Sequence, residues 1–203
     1  NNTWLASYGG GVYRIDDQEN MIRFDETRGL PTNNVLTIHR DRKGRIWVGT
    51  VNHGLAVIEN GKVTRTITEK EGLGDNTVWS IAEDSQGRLF FGTGDNGISC
   101  YDGKNFKIIA AENGLCSNLI YALITDREDR LWVGTDKGVN RLSLSPSFGI
   151  NGIKFYGEKE GLSGLEVSHQ AFALDKNNML WMGTNAGLVR YDPLYDYVNN
   201  NPP

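Results

Sequence analysis

Trp47-Val48-Gly49-Thr50, Phe90-Phe91-Gly92-Thr93, Trp132-Val133-Gly134-Thr135 and Trp181-Met182-Gly183-Thr184 spell one pattern: an aromatic residue, an apolar residue, then Gly-Thr. Trp4-Leu5-Ala6-Ser7 is a worn fifth copy, and successive aromatics lie 43, 43, 42 and 49 residues apart. A recurrence of that length marks a repeat array, in which each unit buries its apolar surface against the next.

Working outward from the motif, each copy follows a turn: Asp41-Arg-Lys-Gly44, Asp84-Ser-Gln-Gly87, Asp126-Arg-Glu-Asp129 and Asp175-Lys-Asn-Asn178. The leading Asp bonds forward to backbone amides, and the fourth place holds only Gly, Asp or Asn, the residues that tolerate a left-handed backbone. That is a hairpin connection, which excludes helix here. An apolar strand precedes the turn and always carries one small residue: Thr37, Ser80, Ala122 or Ala171. Small side chains suit a crowded inner strand near an axis. Gly-Leu opens each unit (Gly29, Gly72, Gly114, Gly161), and Asn33, Asn76 or Asn118 stands three residues after the Leu. The fourth copy reads as carrying two extra residues at that point. After Gly-Thr a second hairpin follows (Val51–Gly54, Gly94–Gly97, Asp136–Gly138, Asn185–Gly187), then two more strands.

Four short strands in about 43 residues is one blade of a β-propeller. The expected fold is all-β, a partial propeller of four to five antiparallel blades. Residues 1–28 form a partial blade, 29–71, 72–113 and 114–160 form blades, and 161–195 form a second partial blade. Residues 196–203, rich in Asn and Pro, read as a linker onward, and the start inside a unit reads as a fragment. Extra length around Ser143–Asn151 is assigned to a loop. An arc of blades leaves a bare apolar face. The remaining blades of a longer chain or a second copy in a homodimer would cover it, so the isolated piece is expected to self-associate.

The formal net charge of −4, with Lys and Arg scattered through the repeats, gives no basic stripe for nucleic acid. No apolar run is long enough to span a bilayer. Cys100 and Cys116 fall at unrelated repeat positions and read as free thiols. Phe91-Gly92-Thr-Gly94-Asp-Asn-Gly97 has the glycine spacing of a dinucleotide fingerprint, but no helix follows and other copies put a hairpin there. Metal-ligand spacings, nucleophile elbows and P-loops are absent, so neither a metal, a cofactor nor catalytic residues are assigned. His53 lies in a hairpin where exposure is expected, whereas His39 and His169 replace small apolar residues of inner strands and read as packed imidazoles. The motif aromatics read as inter-blade core.

Trp79 and Tyr121 stand apart, because their repeat position holds Leu36 and Gln170 elsewhere. They begin inner strands, at the end where the Gly-Leu-x-x-Asn loops and second hairpins open. Asn33, His53, Asn76, Asn96, Asn118, Lys137 and Asn185 therefore share one face with them around an axial mouth. Amides and aromatics together suit a sugar, which offers hydroxyls and C–H faces; each Asn taken singly also suits closing its own turn.

Laid out in this way, residues 1–195 resemble the two-component regulator propeller repeat, with 29–60 and 114–142 the best matches; Asp129 and Asn178 replace its turn-closing Gly. The resemblance implies seven-bladed rings, often in tandem, forming the extracytoplasmic (periplasmic) sensor half of membrane-bound hybrid histidine kinases tuned to polysaccharide breakdown products. It also implies that residues 193–203 lead towards a small β-sandwich before the membrane. A small-molecule or oligosaccharide ligand is the expected partner, with the membrane reached only through the parent chain. A metal-dependent lyase or lactonase and a protein-interaction platform are the alternatives, though the marks of WD repeats are missing.

Overall fold

The aromatic-x-Gly-Thr motif forms the second strand of four sheets, and its worn copy the first strand of the remaining one, in the computed structural model, which describes residues 2–196. The first sheet holds β1 (Asn2–Ser7), β2 (Gly11–Asp16) and β3 (Met21–Phe24). Three four-stranded sheets follow: β4 to β7 (Val35–Arg40, Ile46–Thr50, Leu55–Glu59, Lys62–Ile67), β8 to β11 (Val78–Glu83, Leu89–Thr93, Ile98–Tyr101, Phe106–Ile109) and β12 to β15 (Ile120–Thr125, Leu131–Thr135, Gly138–Leu144, Ile150–Tyr156). The last holds β16 (Val167–Leu174), β17 (Leu180–Thr184) and β18 (Gly187–Tyr191). All pairings are antiparallel between sequence neighbours, as the all-β blade reading requires. The first blade lacks an inner strand and the fifth an outer one among the described residues. The linker assigned to 196–203 lies outside them except for Asp196.

Four buried clusters sit one between each consecutive pair of blades. Alternation along the motif strand explains this: Ile46 and Val48 face the preceding blade, while Trp47 faces the following one beside Phe91 and Tyr101. Trp132 does the same against Tyr191. Both faces of the strand are buried, so it carries no polar alternation. No cluster joins the fifth blade to the first, so the described residues form an open arc.

Each motif position has its own cause. The indole of Trp47 donates to Asp41 Oδ2 at 2.8 Å, and Trp132 and Trp181 donate likewise to Asp126 and Asp175. Asp41 Oδ1 meanwhile accepts from the amides of Lys43 and Arg45, closing the turn. An Arg four residues after the Asp completes the cluster in three blades, with Arg45 Nε 2.6 Å from Asp41 Oδ2. A Cβ on Gly92 would lie 2.7 Å from Ile120 of the next inner strand, so the motif Gly permits close approach near the axis. Thr50, Thr93 and Thr135 hydroxyls donate to the carbonyls of Gly54, Gly97 and Gly138, closing the second hairpin. The fourth turn position is left-handed whether it holds Gly44, Gly87, Asp129 or Asn178.

Blades are also joined through the backbone. The amides of Gly11, Gly54 and Gly97 donate to the carbonyls of Asn33, Asn76 and Asn118 of the next blade at 3.0, 2.7 and 2.9 Å. Among the described residues the fourth junction has no such bond.

Two placements differ from the sequence reading. The extra length at Ser143–Asn151 is not a loop. It lengthens both arms of the β14–β15 hairpin around a tight Ser145–Gly149 turn and delivers Phe148 into the core. There Phe148 meets Phe90 edge-on at 6.0 Å, and Arg88 donates to the Ser145 carbonyl at 2.6 Å. Phe90 is the one motif aromatic of the full blades without an indole, and the inserted ring fills beside it. The second difference is the extra residues of the fifth blade. Leu162 to Val167 keeps the spacing of Leu30 to Val35, and Leu165 takes the place of the Asn. The insertion lies inside β16, where pairing breaks between Val167 and Phe172.

The turn aspartates tie stability to pH. Burial acts to raise the Asp41 carboxyl, but the Trp47, Arg45 and backbone bonds outweigh it and hold it below its ordinary range. Asp175 is lowered as well, first by its bond from the Met179 amide. A group depressed in the folded state stabilises above its unfolded value and loses that stabilisation as pH falls through the folded one. The denaturant midpoint is therefore expected to hold down to about pH 4 and to fall steadily below it. A midpoint that rises on acidification contradicts this assignment of the turn carboxylates.

Candidate functional site

Every inner strand is interrupted at its second residue. Pairing skips between Val35 and Thr37, Val78 and Ser80, and Ile120 and Ala122, leaving Leu36, Trp79 and Tyr121 on single-residue bulges. A bulge re-aims the side chain that it carries, and here Trp79 and Tyr121 turn toward each other. In the fifth blade the bulge is wider and carries Ser168, His169 and Gln170. Gln170 adopts a left-handed φ of 54° and its side-chain amide donates to the Leu36 carbonyl at 2.6 Å, across to the second blade.

Three aromatic rings from three blades thus converge. His169 stacks on Trp79 at 4.5 Å and 29°, and meets Tyr121 at 4.3 Å. Trp79 and Tyr121 stand edge to face at 6.3 Å. Trp79 and Tyr121 are half-buried and His169 is exposed. The expectation of a packed His169 is corrected: the wide bulge lifts it out of the strand pairing and onto the mouth. His39 is part-buried beside Glu83, and His53 is exposed with Nδ1 2.9 Å from the Val51 carbonyl. Burial first, then the charges of Glu166 and Asp136, push the Tyr121 hydroxyl above its ordinary range.

The asparagines are occupied locally. Asn33, Asn76 and Asn118 each accept, through Oδ1, from the amide of Glu26, Glu69 or Ala111 at 3.1, 3.1 and 2.7 Å. Each bond spans seven residues and closes the 3-10 turn that leads into its own blade. Asn96 Nδ2 donates to the Gly74 carbonyl at 2.9 Å. Asn185 and Lys137 are exposed at hairpin tips, with their amides bonded to the Glu166 carbonyl and the Thr135 hydroxyl. The structure therefore gathers Trp79 and Tyr121, adds His169, and commits the oxygens of three Asn side chains to turns.

Sequence reading missed His169, Gln170, Asp136 and Glu166. The unchanged Leu162–Val167 spacing was the signal that placed the insertion in the bulge. Asp136 stands where the other copies have Val51, Gly94 and Asn185. Both cysteines are free; Cys100 is buried and its thiol is pushed up to about 12 by burial.

Against the two outer strands of the fourth blade, Asp196 is anchored rather than loose: it pairs with Arg141 at 2.7 Å and with Lys154, and accepts from the Tyr191 hydroxyl at 2.9 Å. These bonds hold its carboxyl well below the usual range against the burial that would raise it.

Among solved structures, the extracellular domain of a putative hybrid two component system from B. thetaiotaomicron is similar at a TM-score of 0.81 and 22% identity. The match covers 94% of this chain and 26% of that one, so the chain spans about a quarter of its length. Virginiamycin B lyase from Staphylococcus aureus matches at a TM-score of 0.67 and 14% identity, covering 94% of this chain and 66% of that one. PorZ, a surface component of the type-IX secretion system of Porphyromonas gingivalis, matches at 0.67 and 17%, covering 94% and 30%. At these identities the likeness shows the propeller fold. No curated protein matches the chain by sequence. The family model described as two component regulator propeller matches residues 29–52, 72–95 and 114–137, each running from a Gly-Leu through the Gly-Thr motif into the second hairpin. The chain thus carries three repeats that match the two component regulator propeller.

Proposed function

We propose that the chain is a non-catalytic, extracytoplasmic ligand-sensing module of a two-component signal-transduction protein. In this reading it lies in the periplasm and binds a carbohydrate-derived ligand at the axial mouth. The observation that carries the reading is the convergence of Trp79, Tyr121 and His169 from three different blades. A ligand touching three blades favours one arrangement of them over another, which is what a sensor requires. The repeat family supports the two-component assignment, and the extracellular B. thetaiotaomicron domain supports the location. The bare blade faces are assigned to further blades of a longer chain or to a second copy.

Calorimetry against a panel of neutral and charged oligosaccharides, with and without divalent metal, tests the reading. Stoichiometric binding without turnover is expected. Trp79→Ala removes one aromatic wall and is expected to weaken binding about tenfold, roughly half the worth of burying a large side chain. The similarity to a lyase gives an enzyme as the second reading, and product formation in the same cell would favour it.

A further inference from the structure

The mouth has a sign as well as a shape. Its connections are the segments before the inner strands (29–34, 72–77, 114–119, 161–166) and the second hairpins (8–10, 51–54, 94–97, 136–137, 185–186). They carry Asp75, Asp95, Asp136 and Glu166 against Lys137, four carboxylates and one lysine, a net charge of −3 with His53 neutral. None of the four carboxylates is ion-paired among the described residues. The opposite face behaves differently, since its turn acids Asp41, Asp84 and Asp126 are neutralised by Arg45, Arg88 and Arg130.

Two of the free carboxylates adjoin the strand starts that carry the rings: Asp136 follows Thr135, the pairing partner of Ile120 beside Tyr121, and Glu166 precedes Val167, where the bulge bearing His169 begins. Asp136 and Glu166 both act on the Tyr121 hydroxyl, and Asp136 Oδ1 is buried with no hydrogen-bond partner among the described residues. That oxygen keeps its acceptor capacity for a donor arriving from the mouth. His169 already lies flat against Trp79, which shows that a nitrogen-bearing ring fits the wall. Aromatic faces backed by carboxylates attract cations.

We propose that the axial mouth takes a ring-shaped ligand carrying a positive charge, an amino sugar being the simplest member of the class. The proposal rests on the mouth being the ligand site and adds the ligand's charge. Glu166 and Asp136 pair with the ammonium group, Trp79 and Tyr121 cover the C–H faces of the ring, and the field of the loop face draws the ligand in.

Calorimetry with a glucosamine oligomer and its N-acetylated counterpart of equal length tests it, on the parent protein, Glu166→Gln and Trp79→Ala. The free amine is expected to bind at least about tenfold tighter at low salt, with the advantage shrinking towards about 0.5 M salt as the charges are screened. Glu166→Gln is expected to lose most of that advantage with an unchanged melting temperature, and Trp79→Ala to weaken both oligomers. If both oligomers bind equally and depend on Trp79, the charge inference is overturned and the ligand site stands. If neither binds, or Trp79→Ala changes nothing, both are overturned.

Discussion

Trp132→Ala is expected to lower stability by about 3–5 kcal/mol, the range for deleting a fully buried large aromatic. The side chain is buried between the fourth and fifth blades, stacked on Tyr156 at 5.3 Å and against Tyr191 at 4.6 Å. Its loss opens a cavity at a junction that, among the described residues, lacks the amide-to-carbonyl bond of the other three, and leaves Asp126 Oδ2 without its indole donor. Against a total of about 5–15 kcal/mol for a domain, that is a large share. Trp132→Phe separates the two contributions. It keeps most of the ring and removes the hydrogen bond, so about 1 kcal/mol is expected. The third blade carries Phe90 natively at this position and has Phe148 beside it. Urea midpoints by fluorescence and circular dichroism measure both variants. A parent-like midpoint for Trp132→Ala means that the aromatic repeat does not join the blades.

Gly97→Ala comes next in expected effect. Gly97 sits at φ 72°, and a Cβ there would lie 2.3 Å from the Ile109 carbonyl oxygen and 2.9 Å from the Ala110 Cα. Both neighbours are backbone and have no rotamer to move into. The amide of Gly97 also makes the 2.9 Å bond to Asn118 that ties the third blade to the fourth. Left-handed strain of about 1–2 kcal/mol adds to the displaced strand and the weakened bond, for about 2–4 kcal/mol in all. Gly103→Ala is the control, because Gly103 has φ 99° and open space where its Cβ would go. Only the conformational part is expected there. Equal midpoints for the two variants would show that the clash with Ile109 contributes nothing.

The fold was legible because each letter of its motif answers a constraint that recurs in every blade. Trp47 must face the next blade and reach Asp41, Gly92 must admit Ile120, and Thr50 must close its hairpin. Constraints repeated four times leave a periodic record. What happens once leaves none. Phe148 enters the core from an insertion that composition alone presents as a loop, and the extra residues of the fifth blade look the same in a loop as in a bulge. A bulge is written in pairing register, which residue order does not display. The candidate site shows the same division. Trp79 and Tyr121 were readable as departures from Leu36 at a repeated position. Their partner His169 was not, because the insertion moves it out of step with the other copies. The asparagines were readable either as ligands or as turn closers, and their Oδ1 bonds show them closing turns.

The missing backbone clasp at the fourth junction has a mechanical consequence. Three junctions are stitched at the mouth by amide-to-carbonyl bonds, whereas the fifth blade is held through side chains: Gln170 on the Leu36 carbonyl, Arg127 on the Lys176 carbonyl, and Arg141, Lys154 and Tyr191 around Asp196. Side chains held by one or two bonds give way more easily than a backbone ladder, because they have rotamers to move into. The fifth blade is therefore expected to shift more readily against its neighbour than the other blades do, carrying His169 and Glu166 with it at the rim. Anything that seats or unseats His169 at the rim then acts first on the hold of the last blade.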